Sequence, residues 1–211
     1  MGFINDIRKL VKQVPKKRQT LLFSATFSTE IRGITREFLT NPESVEVTPE
    51  NTAAETVTQW AYRCDANAKP ALVTRLIKDG EWSQVLVFTR TKHGANRLSK
   101  ELTSAGIEAS AIHGNKSQSA RTRALDGFKS GKVRVLVATD IAARGIDISQ
   151  LPHVINYELP NVPEDYVHRI GRTGRAGAVG TSISFACEED SFLLPDIEEK
   201  LGAKLDCIHP D

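Results

Sequence analysis

Short apolar segments alternate along this chain with segments of helical periodicity, and this alternation constrains the fold more than any other feature. The apolar segments, rich in β-branched residues, lie at 57–64, 85–89, 109–113, 133–138, 153–157 and 181–186. Segment 133–138 is almost continuously apolar, which is typical of a strand in a parallel sheet that is covered on both faces. The sequence therefore predicts an α/β fold, with a doubly wound parallel sheet and helices on both faces.

Apolar residues at helical spacing separate these strand candidates. They are Leu98, Leu102 and Ala105, then Ala120, Ala124 and Phe128, then the segment 162–169. In a doubly wound sheet, ligands bind beyond the carboxyl ends of the strands. The segments that follow the strands are therefore expected to carry the chemistry.

The amino-terminal part of the chain has its own pattern of helix and strand signals. Helical spacing is shared by Ile4, Ile7, Val11 and Val14. The apolar run at 20–23 predicts a buried strand, and Ser28 is a suitable N-cap for a second helix that ends near Leu39. Alternation at 45–47 predicts a further short strand. This order is typical of the end of a separate α/β domain.

These patterns divide the chain into four parts. Residues 1–47 are predicted to be the end of a first domain, and 48–56, which lack periodicity, a linker. Residues 57–201 are predicted to form a complete second domain, and 202–211 a tail.

Composition narrows the possible functions. A content of 40% hydrophobic and 26% charged residues is that of a folded protein, and a net charge of +2 is too small to indicate nucleic-acid binding by itself. Cys64, Cys187 and Cys207 form no C-x-x-C pair, which favours reduced structural thiols, and no metal site is predicted. With neither a signal peptide nor an apolar run of ~20 residues, the chain is expected to be cytoplasmic.

The segment 168–175, His-Arg-Ile-Gly-Arg-Thr-Gly-Arg, is the strongest functional signal. Guanidinium groups are rarely buried without a partner, and glycines disfavour a helix, so a place in the core is not expected. Planar guanidinium forks match phosphate oxygens, and small residues let them approach closely. The segment thus predicts an anion clamp; the alternative is a solvated basic turn.

Three other segments place hydroxyl, carboxylate or cationic groups directly after predicted strands. Segment 139–147 comes directly after the strand candidate at 133–138. It begins with Thr139, whose hydroxyl can bind a phosphate, and ends with Asp147, whose carboxylate can bind a ribose hydroxyl. Segments 88–92 and 112–121 offer groups suited to a phosphate backbone. Taken singly, the residues of segment 139–147 favour the alternative of a helix cap at Thr139 or Asp140 with a surface ion pair from Arg144. For the other two segments, a helix cap at Ser117 and a solvated loop residue at Lys116 are as good an interpretation as function.

Taken together, these segments resemble the motifs of the DEAD-box RNA helicases, and their residues are close to those of the bacterial RhlE-like subgroup. The resemblance covers essentially the whole chain. In chain order it rests on the segments 24–26, 85–92, 113–121, 139–147 and 168–175. It implies a complete second RecA-like domain preceded by a βα fragment of a first one.

The resemblance also implies roles for individual residues. Arg172 and Arg175 would contact the γ-phosphate of ATP, with Arg175 as the arginine finger, while Gly145 and Asp147 would complete the nucleotide site. The residues implied to touch the RNA backbone are Arg90, Thr91, Gly114, Arg121 and Thr139. The residues implied to couple the two domains are Ser24, Thr26, Arg144 and His168.

The chain departs from the helicase pattern in lacking a phosphate loop. No G-x-x-x-x-G-K-[ST] is present, because the segment 127–133 has the wrong spacing and no hydroxyl, and the D-E-A-D tetrapeptide is also absent. The chain is therefore expected to begin just after that tetrapeptide. The implied cofactor is ATP with Mg²⁺, whose ligands would lie in the part that is not in this sequence.

Several alternatives remain at this stage. The chain alone is expected to be inactive in ATP hydrolysis, and a non-catalytic RNA- or protein-binding remnant of a helicase is the main rival. A DNA-directed relative would share the arginine segment. The implied partners are RNA, bound with little sequence preference, a first RecA-like domain, and ribosome-assembly or RNA-decay factors.

Overall fold

The fold is given by a computed structural model that describes residues 3–24, 29–45, 57–144, 146, 148, 150–174 and 179–210. The chain divides into two compact units, residues 1–47 and 48–211. Each unit is described by itself. Among the described helices, none is long and apolar enough to span a membrane.

The first unit contains two helices, α1 (Ile4–Gln13) and α2 (Thr29–Phe38), as their apolar spacing predicts. Both helices bury none of their residues. Arg8 joins them through a two-pronged ion pair in which Nε and Nη2 lie 2.7 and 2.8 Å from the carboxylate oxygens of Glu37.

The prediction of a buried strand at 20–23 is wrong. The segment has no regular secondary structure, and Leu21 and Phe23 are 67% and 88% exposed. A buried strand must pair with neighbouring strands, and the described part of this unit offers none. Residue 28, expected to cap α2, and most of the strand expected at 45–47 lie outside the described residues.

The second unit is built on a parallel seven-stranded sheet in the order β3-β4-β2-β5-β6-β1-β7. The strands are β1 (Val57–Arg63), β2 (Val85–Phe88), β3 (Ala109–Ile112), β4 (Val135–Ala138), β5 (His153–Asn156), β6 (Gly180–Ala186) and β7 (Asp206–Ile208). The six predicted strands are confirmed. The crossing of the chain from one side of β2 to the other makes the sheet doubly wound, also as predicted.

Helices cover both faces of this sheet. They are α3 (Lys69–Asp79), α4 (Lys92–Ser104), α5 (Gln118–Lys129), the short α6 (Asp140–Ala143), α7 (Pro163–Ile170) and α8 (Leu194–Leu201), with a 3₁₀ turn at Ser191–Leu193. In β2, Val85 and Val87 belong to one hydrophobic cluster, and Leu86 and Phe88 to another. Alternate residues of one strand thus face two cores, which explains its continuous apolar run.

Five elements of this unit lack a sequence prediction, namely α3, α6, α8, the 3₁₀ turn and β7. Leu72, Val73 and Ile77 of α3 are buried at helical spacing, so the periodic signal was present but short. The segment 202–211, predicted to be a tail, contributes β7, which pairs with β1 at the sheet edge. All three residues of β7 are exposed, so backbone pairing holds the strand and no apolar pattern marks it.

Candidate functional site

The candidate site lies at the carboxyl edge of the sheet, where three neighbouring strands end. Arg90 and Thr91 follow β2, Gly114 follows β3 and Thr139 follows β4, and the sheet order places β3, β4 and β2 side by side. Adjacent strands are ~4.8 Å apart, so the segments that follow these strands form one short row. The sheet order therefore brings these segments to one edge, and their binding roles stay predictions.

Arg169 occupies the centre of the site and is 1% exposed. Its Nε and Nη2 donate to the two carboxylate oxygens of Asp140, at 2.7 and 2.8 Å. Nη1 donates to Asn156 Oδ1 at 3.2 Å and to the carbonyl oxygen of Glu158 at 2.7 Å. The guanidinium also stacks over the ring of Phe88, 5.0 Å from its centroid. Every side of this buried cation is therefore compensated.

This arrangement corrects the interpretation of the arginine segment. Sequence reasoning treated all three arginines as unsuited to the core, yet Arg169 is a core residue because Asp140 supplies a matched carboxylate. Asp140 was considered only as a helix cap. The signal that could have revealed the pair is a carboxylate directly after a buried strand.

Arg172 lies against the loop that follows α6. Its Nη1 donates to the carbonyl oxygens of Ile146 and Ile148, at 3.0 and 3.4 Å, and Nη2 donates to that of Ala143 at 3.0 Å. The side chain is half-buried. Arg172 thus fixes the backbone on both sides of Gly145 and Asp147. Those two residues, like Arg175, lie outside the described residues.

Arg144 and His168 share one carboxylate. Asp165 Oδ1 is 2.5 Å from Arg144 Nη2 and 3.8 Å from His168 Nδ1. Nε2 of His168 is buried and has no hydrogen-bond partner among the residues that the structure describes. Two of the four residues predicted to couple the domains, Arg144 and His168, are therefore neighbours.

Thr139 and Gly114 have no evident structural role within the second unit. Thr139 precedes α6, but its side chain makes no capping hydrogen bond, so the cap interpretation is not supported. A Cβ added at Gly114 would meet no atom within 4 Å, and the backbone there is not left-handed. Neither packing nor conformation of the described chain requires glycine at this position.

Arg121, Arg90 and Thr91 differ in how firmly they are held. The Arg121 side chain is half-buried and has no hydrogen bond or ion pair within the described part of the chain. Arg90 is exposed, and its Nη1 lies 3.4 Å from Asn161 Oδ1. Thr91 caps α4, because its hydroxyl accepts a hydrogen bond from the Gly94 amide at 3.0 Å. Thr91 therefore has a structural role as a helix cap, which the sequence did not predict, although its hydroxyl can still donate.

His113 anchors the turn that carries Gly114. The ring is buried, and Nε2 lies 3.0 Å from Asn96 Oδ1. Burial, and then the nearby charges of Lys116, Lys92 and His93, lower the pKa of His113, so the ring is neutral near pH 7. It therefore orders the turn without adding charge.

The remaining predicted residues lie in the first unit, where Ser24 is half-buried and Thr26 lies outside the described residues. Within the described ranges, no group of three or more histidine, cysteine, aspartate or glutamate side chains could hold a metal ion.

Comparison with known proteins gives the context of this site. The family described as "Helicase conserved C-terminal domain" matches residues 68–177. The ATP-dependent RNA helicase RhlB of Pseudomonas aeruginosa is 50% identical over 212 residues, covering 100% of this chain and 53% of that protein. The DEAD-box ATP-dependent RNA helicase CshA of Bacillus subtilis is 42% identical over 206 residues, covering 98% of this chain and 42% of that protein. The chain thus spans about half the length of these relatives.

Solved structures show the same likeness. Dbp5 of S. cerevisiae, bound to RNA and ADP BeF3, matches with a TM-score of 0.88 and 33% identity, over 99% of this chain and 56% of that one. A DEAD box protein from Methanococcus jannaschii matches with a TM-score of 0.70 and 37% identity, over 99% and 56%. The RecA-like fold implied by the sequence is therefore confirmed, and the chain belongs to the helicase conserved C-terminal domain family, in its DEAD-box branch.

Proposed function

We propose that this chain is the C-terminal half of an ATP-dependent RNA helicase and supplies RNA-backbone contacts and an arginine finger to local duplex unwinding. The observation that carries the proposal is the row of groups at the ends of β3, β4 and β2. Gly114 and Thr139 serve no visible structural need there, and Arg121 is a partly buried cation without a partner among the described residues. Groups of this kind fit an external phosphate backbone.

On the RNA side, the proposed contacts are those of Gly114, Thr139 and Arg121, with Arg90 and Thr91 beside them. Gly114 lets a sugar-phosphate chain approach the backbone closely, and Thr139 and Thr91 can donate hydroxyl hydrogen bonds. None of these groups reads a base edge. Binding is therefore expected to depend strongly on salt and little on sequence.

On the nucleotide side, ATP would be held by Gly145, Asp147, Arg172 and Arg175. Arg172, the member of this set that the structure describes, is half-buried and binds the carbonyl oxygens of Ala143 and Ile146, which supports a place for it beside the nucleotide. Bound ATP supplies the phosphoryl group, and the arginines add positive charge beside it. Mg²⁺ is proposed to bind outside this chain.

Coupling between the two sides is proposed to run through the Arg169–Asp140 ion pair. Asp140 directly follows Thr139, and Arg169 directly follows His168. A displacement of Thr139 would therefore be transmitted to His168, and the reverse, because a buried two-pronged ion pair tolerates little displacement. Ser24, Thr26 and Arg144 are proposed to link this pair to the first RecA-like domain.

Finer assignments are proposals of the same kind. The domain limits 1–47, 48–56 and 57–201, cytoplasmic location, the RhlE-like subgroup and ribosome-assembly or RNA-decay partners rest on the sequence resemblance. The relatives described above carry the names RhlB and CshA. Among solved relatives, SrmB of E. coli is seen bound to the regulator RraA.

The test compares ATP turnover by this chain and by a full-length protein that contains it. The full-length protein is expected to hydrolyse ATP with Mg²⁺ and to be stimulated by RNA but not by DNA of the same sequence. The chain alone is expected to remain at background, since it lacks a phosphate loop. Equal stimulation by DNA would indicate the DNA-directed relative, and RNA binding without turnover in the full-length protein would indicate the non-catalytic remnant.

A further inference from the structure

A second surface of interest lies beside the strand-end row, along the outer edge of β3. There a groove of about 450 Å³ runs between α4 and α5. Its floor is formed by small, half-buried residues, Ala109, Ser110 and Ala111 of β3 with Ala120 and Ala124 of α5. Because none of these side chains is bulky, the groove stays open along its length.

The rim of this β3-edge groove carries three cations, Lys100, Lys116 and Arg123, and no carboxylate. None of the three has a side-chain ion pair or hydrogen bond to another described residue. Three cations held around one open groove repel each other and are left without internal compensation. An anionic occupant would compensate them.

The groove is continuous with the proposed RNA site. Asn96 lines it and also binds His113, the residue before Gly114, at 3.0 Å. The amide of Lys116 donates to the His113 carbonyl oxygen at 3.0 Å, so this cation stands on the same turn as Gly114. A strand that leaves Gly114 therefore meets Lys116 next, and Lys100 and Arg123 line the same groove.

We infer that the β3-edge groove binds a further length of the same single-stranded RNA, through phosphate contacts of Lys100, Lys116 and Arg123. This rests on the proposed function and extends its RNA footprint beyond the strand ends. No aromatic side chain lines the groove, so base stacking contributes nothing and the contacts are independent of sequence.

An acidic peptide added as an extra strand fits the groove less well. β3 has only four residues, and its backbone is unpaired along one edge only. It therefore offers few free N–H and C=O groups to an added strand. Short edges flanked by lysines are the means by which proteins prevent strand addition. A peptide ligand would also not explain why the groove is continuous with the turn that carries Gly114.

The test measures binding of oligouridines of about 4 to 20 nucleotides to the full-length protein with a non-hydrolysable ATP analogue. In the wild type, affinity should keep rising with length until the groove is filled. The variant Lys100→Ala/Lys116→Ala/Arg123→Ala should reach its plateau at a shorter length. The variant's slope of log K against log salt should be shallower by about 2. Raising salt from about 50 to 200 mM should therefore reduce the RNA affinity of the wild type roughly 15-fold more than that of the variant.

A matched control removes the same charge elsewhere. Lys78, Lys132 and Lys204 are exposed and precede β2, β4 and β7, at the amino edge of the sheet. The variant Lys78→Ala/Lys132→Ala/Lys204→Ala should keep the wild-type plateau length. Equal melting temperatures for both variants and the wild type would show that folding is unaffected.

The outcomes separate the inference from the proposed function. If the groove variant and the control have the same plateau length and the same salt slope, the inference that the groove binds RNA is overturned, while RNA binding at the strand ends is unaffected. Absence of RNA binding by the wild type would overturn the proposed function itself. Loss of polyglutamate binding with unchanged RNA binding in the groove variant would overturn RNA as the occupant.

Discussion

Arg169 and Arg172 show how two arginines of one motif acquire different tasks. Arg169 is enclosed by Asp140, Asn156 and Phe88, whereas Arg172 is half-buried and grips the carbonyl oxygens of a loop. The difference arises from hydrogen-bond partners that lie 11 to 29 residues away in sequence. Local spacing alone therefore cannot distinguish them.

The buried ion pair makes the first residue-scale prediction. Asp140→Asn should destabilise the second unit by about 3 kcal/mol, because it leaves the Arg169 charge buried without a carboxylate. The comparison is Asp165→Asn, whose partner Arg144 is 61% exposed in its side chain, and a loss of at most about 1 kcal/mol is expected there. Urea denaturation measures both. Equal losses for the two variants would argue against a special role of the Arg169 pair.

The thiols give a prediction about pH. Burial, and then the neighbouring Cys187, raise the pKa of Cys64 to about 11. Since only the thiolate reacts, labelling of Cys64 should be slow at pH 7 and rise roughly tenfold per pH unit up to that pKa. Exposed Cys207 should be labelled first. Mass spectrometry of the labelled peptides would detect the order, and faster labelling of Cys64 at pH 7 would refute it.

At the scale of elements, the sequence predicted six of the seven strands of the sheet and missed β7 at one edge. β2 and β4 are buried on both faces, so their residues must all be apolar, and the pattern is visible in one sequence. β7 is exposed and held by backbone pairing, which no side-chain pattern records. The apolar run at 20–23 failed because an apolar pattern specifies a strand only when partner strands are present.

The same reasoning applies to the site. The sequence located the row at the strand ends, because parallel strands bring their carboxyl ends to one edge. It assigned Thr91 to RNA binding and did not predict that this residue caps the start of α4. It also missed Asp165, since the sequence separation of 21 residues hides its ion pair with Arg144.

An element-scale prediction concerns α1 and α2. Neither helix buries a residue, and Phe3 and Leu10 are 77% and 63% exposed, so little burial opposes their opening. Amides of α1 and α2 in this chain should exchange with deuterium before those of β2 and β4. Hydrogen exchange followed by mass spectrometry measures this. Comparable protection in both units would contradict it.

At the scale of the whole molecule, this chain is proposed to be one half of an ATP-dependent RNA helicase. In the second unit, the proposed RNA contacts lie at the strand ends and Arg172 binds the carbonyl oxygens of Ala143 and Ile146, while no phosphate loop is present in this sequence. Arg175, the proposed arginine finger, is the residue through which this chain would complete the ATP site. Its substitution therefore tests the proposed function most directly.

The most direct measurement is RNA-stimulated ATP turnover by the full-length protein carrying Arg175→Ala. Turnover should fall by roughly 10³-fold or more, with RNA affinity in the absence of nucleotide unchanged, and Arg175→Lys should recover little because a lysine lacks the planar fork. As the matched change, Arg121→Ala should weaken RNA binding and flatten its salt dependence by roughly one unit of slope. If Arg175→Ala keeps wild-type turnover, or if both variants only lose stability, the chain does not complete an ATP site.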